Sequence, residues 1–178
     1  MTLPEGGAEA TRNVQSWDRT YRAAASKVVV MRSGRHFTGF TVVEGDDMMF
    51  GVTRPGWGVE GDSDAQHEDG HCFYDTASGR RFPVGNGSEG MQLARVQGDR
   101  IGLLLDFDQG SMTVWEHDER LGVMQAEGLS GPLCWAVSIF DEHYSARIES
   151  APAPPSPTEG ELAAAKAWEP PSESDDEW

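Results

Sequence analysis

The stretch GDRIGLLLDFDQGSMTVWEHDERLGVM, residues 98–124, decides how this chain folds. It opens on an almost continuously apolar run, Ile101 to Phe107. A run that short, between turn signals, reads as a strand covered on both faces. Asp106-Phe107-Asp108-Gln109-Gly110 reads as a turn, because aspartates cap backbone amides and Gly110 accepts a left-handed conformation. SMTVWEH (111–117) alternates: Met112, Val114 and Glu116 face one way, and Thr113, Trp115 and His117 the other. The spacing predicts a hairpin of 100–107 with 111–117, and burial of Leu104 and Trp115. RLGVM (120–124) is a further strand. The connection through His117-Asp118-Glu119 is expected to be longer or looser than a two-residue turn, since Glu119 disfavours positive φ.

Similar runs recur on both sides, separated by glycine-, serine- and aspartate-rich turns. They are KVVVMR (27–32), HFTGFTVV (36–43), MMFGVT (48–53), HCFYDT (71–76), RRFP (80–83), PLCWAVSIF (132–140) and YSARIE (144–149). PLCWAVSIF, with Trp135 expected to be buried, is apolar enough to lie mid-sheet. No apolar helical repeat of ten residues interrupts them. Short strands at this spacing predict an all-β fold, a two-sheet antiparallel β-sandwich over residues 27–150. Residues 1–26 are expected to be an N-terminal extension. Residues 151–178 hold six of the ten prolines, and this tail carries a net charge near −6. APAPPSP (151–157) reads as a semi-stiff linker and PPSESDDEW (170–178) as an acidic disordered end. Between them TEGELAAAKAW (158–168) predicts a short helix capped by Thr158 with Glu161 three residues on. Such a helix is marginal alone: it either docks on the body, through Leu162 and Trp168, or frays.

Residues 98–124 together with GPLCWAVSIF (131–140) resemble the SPRY domain family. The matching positions include Gly98, Asp99, Ile101, Gly102, Leu104, Leu105, Asp106, Asp108, Gly110, Thr113, Trp115, Leu121, Gly122 and Val123, then Gly131, Pro132, Leu133, Ala136, Val137 and Ser138. SGRHFTGFTV (33–42) and FGVTRPGW (50–57) are similar to two upstream strands of that family. The chain departs from the pattern at Thr38-Gly39-Phe40, at His117-Asp118-Glu119 and at Trp135. The resemblance implies a lectin-like jelly-roll outline and a non-enzymatic protein-interaction module. It implies binding of a peptide or partner protein through loops at one end of the sandwich. Carried over, those loops hold Asp46 and Asp47, Arg54, Pro55, Trp57, Gly58 and His67, and Phe140, Asp141, Glu142 and His143. Their acidic residues favour a partner carrying lysine or arginine. A carbohydrate-binding sandwich, with Trp57 as a sugar platform, is the alternative reading.

Composition narrows the choice further. The chain has 178 residues, 38% of them apolar, which suits one domain with a real core. A net charge of −16 argues against nucleic acid and anionic membranes as partners. No transmembrane run or secretory signal is visible, so an intracellular, cytoplasmic or nuclear, monomer is expected. Cys72 and Cys134 are too few for a disulfide framework or thiolate zinc site and read as buried thiols. His67 and His71, four apart around two carboxylates, fall in a loop rather than on the helix that would aim both at a metal. The Asp106 turn lacks the glutamate that a calcium loop places at position twelve, where His117 stands. No nucleophile elbow or phosphate loop is present. Accordingly no cofactor, metal or catalytic residue is expected.

Overall fold

The structure is a computed structural model and describes residues 8–11, 22–25, 29–56, 71–79, 81–82, 98–117, 119–139 and 143–167. Its strands are β1 (Ala8–Thr11), β2 (Arg22–Ala25), β3 (Arg35–Glu44), β4 (Met48–Thr53), β5 (Cys72–Asp75) and β6 (Arg81–Phe82). They continue as β7 (Arg100–Asp106), β8 (Ser111–Glu116), β9 (Glu119–Gln125), β10 (Cys134–Ile139) and β11 (Ser145–Ser150), followed by helix α1 (Glu159–Ala167). Among the described residues they form two antiparallel sheets, ordered β1-β11-β3-β7-β8-β9 and β2-β10-β4-β5-β6.

The core lies between the sheets. Alternation turns Phe40 and Val42 of β3, Ile101, Leu103 and Leu105 of β7, and Met112 and Val114 of β8 inward. There they meet Phe50, Val52, Tyr74, Trp135, Val137 and Ile139 of the second sheet. Phe40 is the seam: it stacks on Phe50 with ring centroids 4.7 Å apart and meets Trp135 edge-on at 6.2 Å. Contacts of this geometry add ~0.5–1.5 kcal/mol each beyond area burial. The apolar runs at β7 and β10 are central strands, flanked by β3 and β8 and by β2 and β4. Gly51 lets β4 approach β5, because a Cβ there would stand 2.0 Å from the Cys72 carbonyl oxygen.

The departures at Thr38-Gly39-Phe40 acquire a physical meaning. Phe40 fills the core, while a Cβ on Gly39 would lie 2.7 Å from Arg100 Nε, so glycine leaves room for that side chain on the outer face. Beside it, the ring of Phe37 crosses Gly102 and meets Trp115 edge-on at 6.3 Å. Trp135 and Leu104 are buried as expected, but Trp115 is only half-buried, on the outer face. Leu104 is also outside the main core: it is in register with Phe37 and Thr113 on that outer face, yet it is fully buried.

Three strand-level expectations change. KVVVMR contributes no strand among its described residues; Met31 makes one isolated bridge to Leu133, and Val29 is exposed. Unexpected strands come from the first 26 residues, β1 pairing with β11 and β2 with β10. The β8–β9 connection is a tight two-residue one, with Glu116 opposite Glu119 and His117 taking φ 44°. Two register shifts within the pair, rather than a longer loop, absorb the irregularity.

After β11 the chain runs back across the outer face of the first sheet. The Ala151 amide reaches the Phe37 carbonyl, Ser156 Oγ donates to Asp106 Oδ2, and Gln109 Nε2 donates to the Pro157 carbonyl at 3.0 Å. Helix α1 then begins as the sequence predicts. The Thr158 amide donates to Glu161 Oε2 at 2.7 Å, and the Glu161 amide donates to Thr158 Oγ1 at 3.3 Å. The helix docks on β9: Leu162 and Ala165 pack on Val123 and Ala126. Ion pairs Arg120–Glu161 and Lys166–Glu127 flank that contact. Trp168 lies outside the described residues.

Candidate functional site

Strand direction sorts the expected binding residues into two groups. β3 ends at Glu44 and β4 begins at Met48, so Gly45, Asp46 and Asp47 span the two sheets at one end of the sandwich. β10 ends at the same place, with Ile139 opposite Met48, and β11 restarts there, with Ser145 opposite Glu44. The turn that holds His143 therefore shares this end with Asp46 and Asp47. Arg54 and Pro55 do not. They leave the far end of β4, and Arg54 Nη1 donates to the Ser130 carbonyl at 3.2 Å. Six residues of strand at ~3.3 Å each hold the two groups about 20 Å apart. Trp57, Gly58, His67, Phe140, Asp141 and Glu142 lie outside the described residues. The expectation of one shared end thus fails for Arg54 and Pro55, because β4 separates them from Asp46.

The Asp46 end is built rigidly. Thr76 Oγ1 donates to the Asp46 carbonyl at 2.8 Å and accepts the Met48 amide at 2.9 Å. Tyr144 Oη donates to Asp46 Oδ1 at 2.9 Å. Its ring lies against Gly45, where φ is +99° and a Cβ would stand 2.2 Å from Tyr144 Cγ. Only glycine satisfies both conditions, so the turn is held from the backbone and from the side chain.

Register brings further carboxylates to this end. β7 begins here, with Arg100 opposite Thr41, and the β8–β9 hairpin turns here, with Ile101 opposite Glu116. Asp99, Glu116 and Glu119 thereby join Glu44, Asp46 and Asp47, with Arg100, Arg120 and His143 as cationic or titratable neighbours. Residue spacing in the sequence hides this gathering. The signal that reveals it is antiparallel pairing, which must return the start of β7 and the end of β8 to one edge. Donor atoms of Asp99, Glu116 and His117 lie within 4.8 Å of one another, a spacing compatible with a metal ion. These side chains are half-exposed or exposed.

Other sequence candidates are engaged elsewhere. Asp106 is buried, and its Oδ1 accepts the amides of Asp108 and Gln109 at 2.9 and 3.3 Å while Oδ2 takes Ser156. That is turn capping, with no carboxylate oxygen turned out to a cation. His71 is buried with its ring edge against Phe73. Burial pushes the Cys72 thiol up to about 12 and raises Cys134 as well, so neither is a thiolate nucleophile. A groove of about 640 Å³ between β9 and α1 is lined by Arg120, Leu121, Gly122, Val123, Glu161 and Ala164. Arg120 beside Glu161, together with the Thr158 hydrogen bonds, holds the Glu161 carboxyl down at about 2. Among the described residues, no helix is long and apolar enough to cross a membrane.

No family model matches the sequence, and no curated protein matches it. Solved structures do. The crystal structure of the SPRY domain of human HERC1 is 18% identical with a TM-score of 0.58, covering 72% of this chain and 80% of that one. A human SPRY domain is 13% identical with a TM-score of 0.55, covering 79% of this chain and 96% of that one. At such identities the likeness speaks for architecture, and it agrees with the capped turn after β7, the central placement of β7 and β10, and the two antiparallel sheets. The chain has the fold of the SPRY domains.

Proposed function

We propose that this chain is a non-enzymatic protein-interaction module whose acidic end binds a peptide or partner segment carrying lysine or arginine. The observation that carries this reading is the convergence of Glu44, Asp46, Asp47, Asp99, Glu116 and Glu119 on one end of a rigid sandwich. Like charges gathered at one edge create a field that attracts cationic groups, speeds encounter and rejects acidic competitors. Tyr144 and Thr76 fix Asp46 before any partner arrives, which lowers the ordering cost of binding. Asp141 and Glu142 belong to the same proposal through the connection from β10 to β11 in which they fall. The SPRY-like fold, which the resemblance in sequence associates with protein interaction, supports it.

A displayed random-peptide library tests the proposal. Peptides selected by the wild-type chain are expected to be enriched in lysine and arginine. Their affinity should fall about tenfold for the Asp46→Lys, Asp47→Lys double variant, mostly through slower association. Raising salt from 0.05 to ~0.5 M should mimic that loss, because exposed charges are screened within ~10 Å at 0.1 M. Arg54→Glu, at the opposite end, should leave binding unchanged. Selected peptides without basic residues, or binding indifferent to the double variant, would overturn the reading. Calcium-dependent capture of glycans in place of peptides would favour the carbohydrate-binding alternative.

A further inference from the structure

We propose that Ser156 is a phosphorylation site for a proline-directed protein kinase, and that its modification releases the C-terminal strap, residues 151–167, from the outer face of the sandwich. Three independent observations converge on this residue.

The first is sequence. Ser156 sits in Pro154-Pro155-Ser156-Pro157 and is followed directly by proline. The segment 151–158 has no helix or strand of its own. Proline-rich chain of this kind is extended and pre-ordered, which is the form in which a kinase takes a substrate segment.

The second is the latch. Ser156 Oγ donates to Asp106 Oδ2 and receives Arg35 Nη1 at 3.5 Å. Asp106 is 3% exposed, and its other oxygen already accepts two backbone amides. The serine proton is therefore the donor that satisfies a buried carboxylate oxygen. Besides this latch, the strap is tied to the sandwich by Ala151 to Phe37, Gln109 to Pro157, the helix contact on β9 and the surface ion pairs Arg120–Glu161 and Lys166–Glu127. Among the described residues it shares no long hydrogen-bond ladder with the sandwich, so transient opening that admits a kinase is a low-energy event compared with unfolding.

The third is what the strap covers. Its helix packs Leu162 and Ala165 over Val123 and Ala126. Lifting the strap would expose that apolar pair to a partner.

The serine oxygen attacks the γ-phosphorus of a nucleoside triphosphate. A new O–P bond forms, and the bond to the bridging oxygen breaks, the electron pair leaving with the nucleoside diphosphate. The hydroxyl proton passes to the kinase's base. The product removes the donor from Asp106 and sets a charge of about −1.5 to −2 against that carboxylate. Arg35 is the opposing term. It is exposed and already near, so it draws the phosphate outward, away from Asp106.

The test uses the full chain, a proline-directed kinase and Mg-ATP, with mass spectrometry to place the phosphate. The expected result is one phosphate at Ser156, absent in Ser156→Ala. Hydrogen exchange over 151–167 and tryptic cleavage after Lys166 should then run about tenfold faster in the phosphorylated chain, the scale of one like-charge contact near a surface. Circular dichroism should report an unchanged sandwich. Asp106→Asn, which keeps the capping oxygen and drops the charge, should restore slow cleavage in the phosphorylated chain. No phosphate at Ser156 while a free peptide of residues 151–160 is labelled would overturn the proposal. So would a phosphorylated chain whose strap is as protected as the unmodified one, since Arg35 would then be clamping it shut.

Discussion

Val123 gives the sharpest test of how the C-terminal helix and the sandwich are put together. It is buried, and with Ala126 it packs on Leu162 and Ala165 of α1 rather than in the main core. Val123→Ala removes two carbons, about 1.6 kcal/mol of transfer free energy at ~0.8 kcal/mol each. A cavity term comes on top, but a short helix can settle into the space, so the total should stay near ~2 kcal/mol. Leu103 faces the rigid interior between the sheets, and Leu103→Ala should cost about 4 kcal/mol, toward the upper part of the usual range. The decisive comparison is made in a chain ending at residue 150. There Val123 loses its helical cover, and its truncation should cost only ~0.5 kcal/mol, whereas Leu103→Ala should cost as much as before. Urea denaturation of the four variants and their two parents gives these differences as a double-mutant cycle. An equal Val123→Ala penalty in both lengths of chain would refute the claim that α1 covers this strand.

Further expectations follow from the same contacts. Gly51→Ala drives a Cβ to 2.0 Å from the Cys72 carbonyl, a backbone atom that cannot rotate away, and should destabilise the fold by about 3 kcal/mol in the same denaturation assay. The Glu161 carboxyl is held from its usual 4.5 down to about 2, so its contribution to helix docking is complete above about pH 4.5 and is lost as pH falls toward 2. Hydrogen exchange of amides 159–167, corrected for intrinsic rates, should show α1 loosening over that window before the sandwich does. Thr158→Ala should weaken the helix by ~1 kcal/mol through the lost cap, seen as faster exchange in the same amides. Cys72 and Cys134 should resist a thiol reagent at pH 8 in the folded chain and react when it unfolds.

Much of this architecture is legible in the residues, and what is hidden has identifiable causes. The β7–β8 hairpin and the central strand β10 announce themselves because apolar runs, alternation and a capped turn coincide there. β1 and β2, AEAT and RAAA, carry no such pattern; alanine is a poor strand former, and these segments are strands by virtue of the edges they pair with. KVVVMR misleads in the opposite way: β-branched residues favour a strand, but among its described residues Met31 makes an isolated bridge to Leu133 and no strand forms. The capping box of α1 can be read directly, because its two hydrogen bonds are local. The acidic end is half legible. Asp46 and Asp47 stand in a visible turn, but Asp99 and Glu116 reach the same end only through strand register. Arg54 and Pro55 look like neighbours of Asp46 along the chain until the length and direction of β4 are known.

The central claim is that the binding surface is the acidic end, and backbone-amide NMR of the labelled chain titrated with a selected lysine- or arginine-containing peptide tests it most directly. The account predicts progressive shifts confined to Glu44–Asp47, Asp99–Arg100, Glu116–His117 and His143–Tyr144, with Arg54, Gly110 and Ser130 unmoved. Shifts centred on Arg54 and Ser130, or on the strap from Ala151 to Ala167, with the Asp46 turn silent, would contradict it.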